Sequence, residues 1–114
     1  MDENAAIDVL AALAQPTRLA TFRLLIRAHP EGVPAGEIAR LMKTPQNTMS
    51  THLGILTRAG LLTSDRQSRS IIYRANPEGI TAFLIHLIND ACEGRASIIE
   101  HLKADLARSR PGRK

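Results

Sequence analysis

Residues 44–75 leave this chain few folds to choose from. Thr44-Pro45-Gln46-Asn47 reads as a helix opening, with Thr44 as a hydroxyl N-cap and Pro45 at the first helical position. Met49, Leu53 and Leu56 recur at helical spacing and give that helix one apolar side. Gln46, Asn47, Ser50, Thr51 and Arg58 lie away from the stripe, so the outward face is amide, hydroxyl and guanidinium. Gly60 ends the helix. Residues 61–65 and 70–74 read as two strands, and Arg66-Gln67-Ser68-Arg69 between them as a basic polar turn.

The rest of the chain supplies more helices. Residues 4–14 form an Ala-rich helix with Ile7, Leu10 and Leu13 at three-residue spacing, and Pro16 breaks it and starts another. The second helix, residues 16–28, is expected to bury Leu19, Phe22, Leu25 and Ile26. His29-Pro30-Glu31-Gly32 is a turn by its Pro and Gly content, Val33 a minimal strand, and residues 35–42 a third helix carrying Ile38, Leu41 and Met42. After the hairpin, Asn76-Pro77-Glu78 is the strongest helix start in the chain: an N-cap, a first-turn proline and an acid at the positive dipole end. Ile80, Phe83, Leu84, Leu87, Ile88 and Ala91 follow at helical spacing, and the stripe resumes at Ile98, Ile99, Leu102 and Leu106 beyond a weak point at Gly94. The order is helix, helix, short strand, helix, helix, hairpin, and then one long helix or a helix pair. That is a mainly α fold with a small β-hairpin wing, a winged helix-turn-helix.

At 114 residues the chain holds one domain with a single modest core. Residues 1–107 are expected to make up that domain, with residues 108–114 a basic disordered tail. A terminal helical stretch of about 30 residues, apolar along its length, exceeds what so small a core can cover. Ile7, Leu10 and Leu13 of the first helix, with Leu84, Leu87, Ile88, Ala91, Ile98 and Leu102, are therefore read as an interface with a second copy.

Charge is distributed unevenly. Residues 16–75 hold nine Arg and Lys against three Asp and Glu, a net +6, whereas residues 1–15 carry −3 and residues 76–107 carry −3. Positive charge concentrated on the helix and hairpin is the footprint that a phosphate backbone requires. Only 3% of residues are aromatic, which argues against modules that stack single-stranded bases. The segment thus points to double-stranded DNA. Amides such as Gln46 and Asn47 can bond adenine in bidentate fashion from a helix in the major groove. Thr48, Ser50 and Thr51 can bond bases or phosphates, and Arg66, Gln67, Ser68 and Arg69 on the wing suit phosphates or the minor groove. His52 borders the buried stripe, where a packed or phosphate-bonded histidine fits better than a base reader. For Arg18 and Arg58 a fold-stabilising role and a phosphate-positioning role stand side by side.

With these elements in place, the chain resembles the ArsR/SmtB family of dimeric winged-helix repressors. The resemblance rests on residues 12–19 (ALAQPTRL), Gly36-Glu37-Ile38-Ala39, residues 46–53 (QNTMSTHL), Leu56, Ala59-Gly60-Leu61-Leu62 and the strand from Arg69 to Tyr73-Arg74. It spans residues 10–92 and implies a cytoplasmic homodimer that represses an operon until an effector releases it from an inverted-repeat operator. Metalloid sensors of the family commonly place a Cys-x-Cys pair at the start of the third helix, where this chain has Pro34 and Gly36. Another branch carries several cysteines late in the fifth helix, where Cys92 is the single thiol here. Soft ions held by thiolates want several sulfur ligands, so a three-thiolate site is impossible within a dimer.

No cofactor is required by this reading, and the effector is left unnamed. His86 with Asp90, and His101 with Asp105, repeat a four-residue spacing and are the thin remaining candidates for a nitrogen and oxygen metal site. Cys92 is a redox candidate that pairs with its symmetry mate, or else a small hydrophobe in the packing. One cysteine excludes an intrachain disulfide and suits a reducing cytosol. The acidic start Met1-Asp2-Glu3-Asn4 lacks a signal-peptide profile, and no apolar run reaches spanning length, so a soluble cytoplasmic protein is expected. An enzyme is not expected: there is no Gly-rich phosphate loop or nucleophile elbow, and the four histidines fall in different elements. A protein-docking winged helix without DNA reading, and a constitutive repressor without an inducer, are the competing readings.

Overall fold

The first helix, α1 (Glu3–Leu13), is capped by Asp2, whose carboxylate accepts from the Ala5 N–H at 2.8 Å. The computed structural model describes residues 1–91 and 93–109. Ala6, Val9 and Ala12 turn into the core, while Ile7 and Leu10 face outward and Leu13 is half-buried against the core. The small alanines let α1 lie close to its neighbours.

Gln15 caps α2 (Pro16–Arg27), its side-chain oxygen accepting from the Arg18 N–H at 2.8 Å, with Pro16 at the first helical position. The inward line of α2 is Thr21 and Leu25, both fully buried, with Phe22 half-buried. Leu19 and Ile26, expected inside, are exposed. Thr21 takes the buried place because its hydroxyl donates to the Thr17 carbonyl at 2.8 Å and so enters the core already satisfied.

Strand β1 (Val33–Pro34) leads into α3 (Ala35–Leu41), where Ile38 and Ala39 are buried and Leu41 is exposed. Helix α4 (Gln46–Arg58) packs Met49, Leu53 and Leu56 against this core. Strands β2 (Leu62–Gln67) and β3 (Ser70–Ala75) form the hairpin. Together the three strands make an antiparallel sheet in the order β1-β3-β2, with Val33 opposite Tyr73 and Leu62 opposite Ala75.

Helix α5 (Pro77–His86) starts with Pro77 in its first turn as expected, but Asn76 does not cap it with its side chain. The Asn76 amide instead donates to the Gly60 carbonyl at 2.9 Å, tying the end of β3 back to the end of α4. Phe83 is the buried residue of α5, with Ile80 packed against the core. The helix then widens into a π-helical turn over Leu87–Ala91, earlier than the break expected at Gly94. Glu93 and Gly94 both take positive φ, and α6 (Ala96–Ser109) sets off anew. It runs through Arg108 and Ser109, two residues into the span expected to be a tail; the remainder of that tail, and Cys92, lie outside the described residues. None of the α6 side chains is fully buried. Among the described residues no single helix is long and apolar enough to cross a membrane.

Candidate nucleic-acid interface

Helix α4 begins one residue later than the Thr44-Pro45 pattern predicts. Pro45 occupies the cap position in an extended conformation, with no side-chain cap. The Thr44 hydroxyl donates backwards to the Met42 carbonyl at 3.0 Å, closing the turn after α3. The first intrahelical bond runs from Met49 N–H to Pro45 carbonyl at 2.9 Å, and the Asn47 side-chain oxygen takes the Thr48 N–H at 2.9 Å. Asn47 thereby partly caps the first turn from inside, and its amide NH2 and second oxygen lone pair stay free.

Helical periodicity sorts the remaining side chains of α4 into three faces. Asn47, Thr51 and Arg58 point opposite the buried Met49-Leu53-Leu56 line and are exposed. The Thr51 hydroxyl donates to the Asn47 carbonyl at 3.3 Å. Gln46 and Ser50 flank this face on the hairpin side, where they line a crevice of about 160 Å3 together with Ile71 and Tyr73. On the other flank, His52 turns toward α2.

The hairpin differs from expectation at its tip. Strand β2 reaches Gln67, with Arg66 opposite Ile71 and Gln67 opposite Ser70, so the turn is Ser68-Arg69 alone. Ser68 takes a φ of 57°, as a two-residue hairpin turn demands. Side chains directly opposite in the ladder share a face, so Arg66 lies on the Ile71 and Tyr73 face, toward α4. Arg69 stands at the tip. Asp65 and Arg74 pair at 3.1 Å on the other face of the hairpin.

His52 and Arg18 belong together. The Arg18 Nη1 lies 3.2 Å from His52 Nδ1, and the Arg18 Nε–H donates to the Ala12 carbonyl at 2.8 Å. Burial first, and the Arg18 charge second, hold the His52 imidazole below its ordinary pKa. A neutral ring that accepts at Nδ1 carries its proton on Nε2. Arg58 sits at the far end of α4 from Gln46, about 18 Å along the axis for a 12-residue separation. It folds back over Gly54, where an added Cβ would stand 3.3 Å from Arg58 Nη1.

Two features escaped the sequence reading. Lys43, in the turn between α3 and α4, has a φ of 52° and is exposed beside Gln46; the signal available was a lone cation in that turn. Gly54 leaves the outward face of α4 without a side chain between Thr51 and Arg58; a glycine inside a helical pattern was its signal. The metal-ligand candidates stay apart in pairs, His86 to Asp90 at 3.5 Å and His101 to Asp105 at 3.3 Å. Among the described residues no three His, Cys, Asp or Glu side chains converge.

Residues 13–65 match the family model described as a helix-turn-helix domain, a span from the end of α1 into β2. Over 88 residues the chain is 32% identical to the HTH-type transcriptional repressor SmtB of Mycobacterium tuberculosis, covering 77% of this chain and 60% of that protein. It is 30% identical to the HTH-type transcriptional regulator YgaV of Escherichia coli, covering 76% of this chain and 86% of that one. The chain belongs to the ArsR/SmtB family of winged helix-turn-helix transcriptional regulators. The homodimeric winged helix-turn-helix DNA-binding domain of a possible ArsR-family regulator from Mycobacterium bovis superposes with a TM-score of 0.62 at 25% identity, covering 76% of this chain and 80% of that one. The chain thus spans about three-fifths of the length of the mycobacterial repressor it matches. Within the ArsR/SmtB frame, α3 and α4 form the helix-turn-helix and β2-β3 the wing. Pro34 and Gly36 stand at the end of β1 and in the first turn of α3, so that stretch offers no thiol.

Proposed function

We propose that this chain is a double-stranded-DNA-binding transcriptional repressor. In this reading it acts in the cytoplasm as a homodimer on an inverted-repeat operator and is released by an effector or redox signal. The observation that carries the reading is the outward side of α4. Asn47 and Thr51 are exposed opposite a fully buried stripe, Gln46 and Ser50 flank them, and Arg66 and Arg69 stand on the adjoining wing. Amides and hydroxyls on a rigid helix suit base edges in the major groove, and arginines beside it suit the phosphates that fix register. Lys43, at the start of the same helix, adds a further cation for the backbone. Reading DNA in this way needs no resident cofactor.

The dimer reading draws on Ile7 and Leu10 of α1, Leu84 of α5, and Ile98 and Leu102 of α6, all exposed in one protomer. Large apolar side chains in such number are usually covered. A two-fold dimer places its reading helices about 34 Å apart, one turn of duplex.

The test is fluorescence anisotropy on the duplex upstream of this protein's own gene, against a scrambled duplex, at about 0.15 M salt. The expected result is a preference of about a thousandfold for the native duplex. Binding to neither duplex would leave a protein-docking module as the better reading.

A further inference from the structure

Between α1, α2 and the end of α4 lies a crevice of about 440 Å3 whose lining includes none of Gln46, Asn47, Ser50 and Thr51. Arg18 and Arg58 both line it. Arg18 is half-buried, and its observed partners are neutral: the Ala12 carbonyl and the His52 imidazole. A cation taken partly out of water without a counter-ion is costly, and the cost falls when an anion joins it. Arg58 likewise has no hydrogen bond or ion pair among the described residues, where the Arg and Lys ion pairs lie elsewhere, at Glu37-Arg40, Asp65-Arg74, Glu93-Arg95, Glu100-Lys103 and Asp105-Arg108. Asp8 stands in the wall but pairs with neither arginine. The remaining surface is apolar, from Ala11, Ile55 and Ala59.

We propose that this crevice binds a small organic carboxylate, its charge held by Arg18 and Arg58 and its apolar body laid against Ala11, Ile55 and Ala59. A guanidinium fork matches a carboxylate in two parallel bonds, which gives direction as well as attraction. The volume falls within the range of small-molecule pockets, about 300–1,000 Å3. A bare phosphate would engage the arginines and leave the apolar wall unused, so the wall selects an organic anion. Both arginines also bear on α4: Arg58 is part of it, and Arg18 joins it to the end of α1 through His52 and Ala12. A ligand that recruits them competes with that tie. Its consequence for DNA rests on the function proposed above, whereas the binding site itself does not.

The experiment is a 1H–15N NMR titration of the full chain without DNA. The probes are benzoate, phenylacetate and hexanoate, each beside its neutral amide, together with inorganic phosphate. The expected result is saturable shifts at the Arg18 and Arg58 Nε–H and the Ala11 and Ile55 amides, with Kd about 1 mM or below for at least one carboxylate. The amides and phosphate bind at least tenfold more weakly. Arg58→Gln weakens carboxylate binding at least tenfold with the melting temperature unchanged, and Asp8→Asn, which removes a competing carboxylate, strengthens it. The absence of saturation with every carboxylate up to about 50 mM overturns the proposal, and so do equal shifts from phosphate, or shifts indifferent to Arg58→Gln and Asp8→Asn alike. A duplex that shifts Arg58 where no carboxylate does would make this arginine a DNA-backbone contact and likewise end it. Because DNA is absent from the titration, failure of the DNA reading leaves its result intact. Anisotropy on the upstream duplex with the best carboxylate then measures the coupling, expected as a loss of affinity.

Discussion

Arg18 and His52 are 34 residues apart in sequence, and their side chains meet with Nη1 3.2 Å from Nδ1. The contact works only while His52 is neutral, since a protonated imidazole would present an N–H to an N–H. The same Arg18 holds the Ala12 carbonyl, so one guanidinium joins the end of α1 to the middle of α4.

That arrangement has a pH consequence. Burial and the Arg18 charge lower the folded-state pKa of His52 below its ordinary 6.5. Between the two values the unfolded chain binds a proton that the folded chain does not, so stability is full above about 6.5 and falls as pH drops below it. Urea unfolding at about pH 7.5 and about pH 5.5 should show the fall, and His52→Gln, which keeps an acceptor for Arg18, should show less of it. An equal fall in both proteins would place the sensitivity in other groups.

Gly60 and Gly79 make a second close relationship, at the root of the wing. The Gly60 carbonyl oxygen lies 1.9 Å from where a Cβ on residue 79 would stand, and Asn76 donates to the same oxygen at 2.9 Å. Gly79→Ala must push α5 away from the end of α4, and a loss of about 1–3 kcal/mol is expected in chemical unfolding. Asn76→Ala should cost about 0.5–1.5 kcal/mol. Asn76→Asp should cost more than Asn76→Ala, because it sets a carboxylate against that carbonyl. Gly36→Ala serves as control: its Cβ would meet nothing nearer than the Gln46 Nε2 at 3.7 Å, and no loss is expected.

The fold was legible where large side chains and turn residues carry the signal. The Met49-Leu53-Leu56 stripe, Pro16 and Pro77 at helix starts, and the minimal strand at Val33 all sit where the sequence places them. The misses share a physical cause. Periodicity drawn from Leu and Ile weighs size, so it expected Leu19 and Ile26 inside; close packing instead took Thr21, Ala39, Ala6 and Ala12. Cap rules foresaw side-chain caps at Thr44 and Asn76, but tertiary partners claimed both: the Met42 carbonyl and the Gly60 carbonyl. At the candidate site, residue types located the reading face. Only the ladder register could move Arg66 from the tip onto the α4 side, and only distance could join Arg18 to His52.

The proposed reading face separates two kinds of loss. Gln46→Ala or Asn47→Ala should cost about 1–3 kcal/mol on the preferred duplex and relax the base preference, as expected of a bidentate base contact. Arg69→Ala should weaken binding to native and scrambled duplexes alike and reduce the salt dependence by about one phosphate. Anisotropy across a salt series distinguishes the two. Uniform loss for all three variants would remove sequence reading from α4.

The last expectation concerns α6, which buries no side chain within its own protomer yet keeps Ile98, Leu102 and Leu106 on its surface. An isolated helix of its 14 residues is marginal in water, because nucleation costs more than so few turns return. On the proposed dimer its order depends on a surface outside the protomer, and the exposed Ile7 and Leu10 of α1 supply apolar area of the same kind. Leu10→Glu leaves the protomer core untouched, since that side chain is half exposed at 50%, but it sets a charge into the proposed dimer interface. Sedimentation at micromolar concentration should then report a monomer. Hydrogen exchange should show α6 amides losing protection while α4 amides keep theirs. A monomeric Leu10→Glu protein with α6 still protected would mean that α6 is held within the protomer. An unchanged dimer would place the interface away from α1.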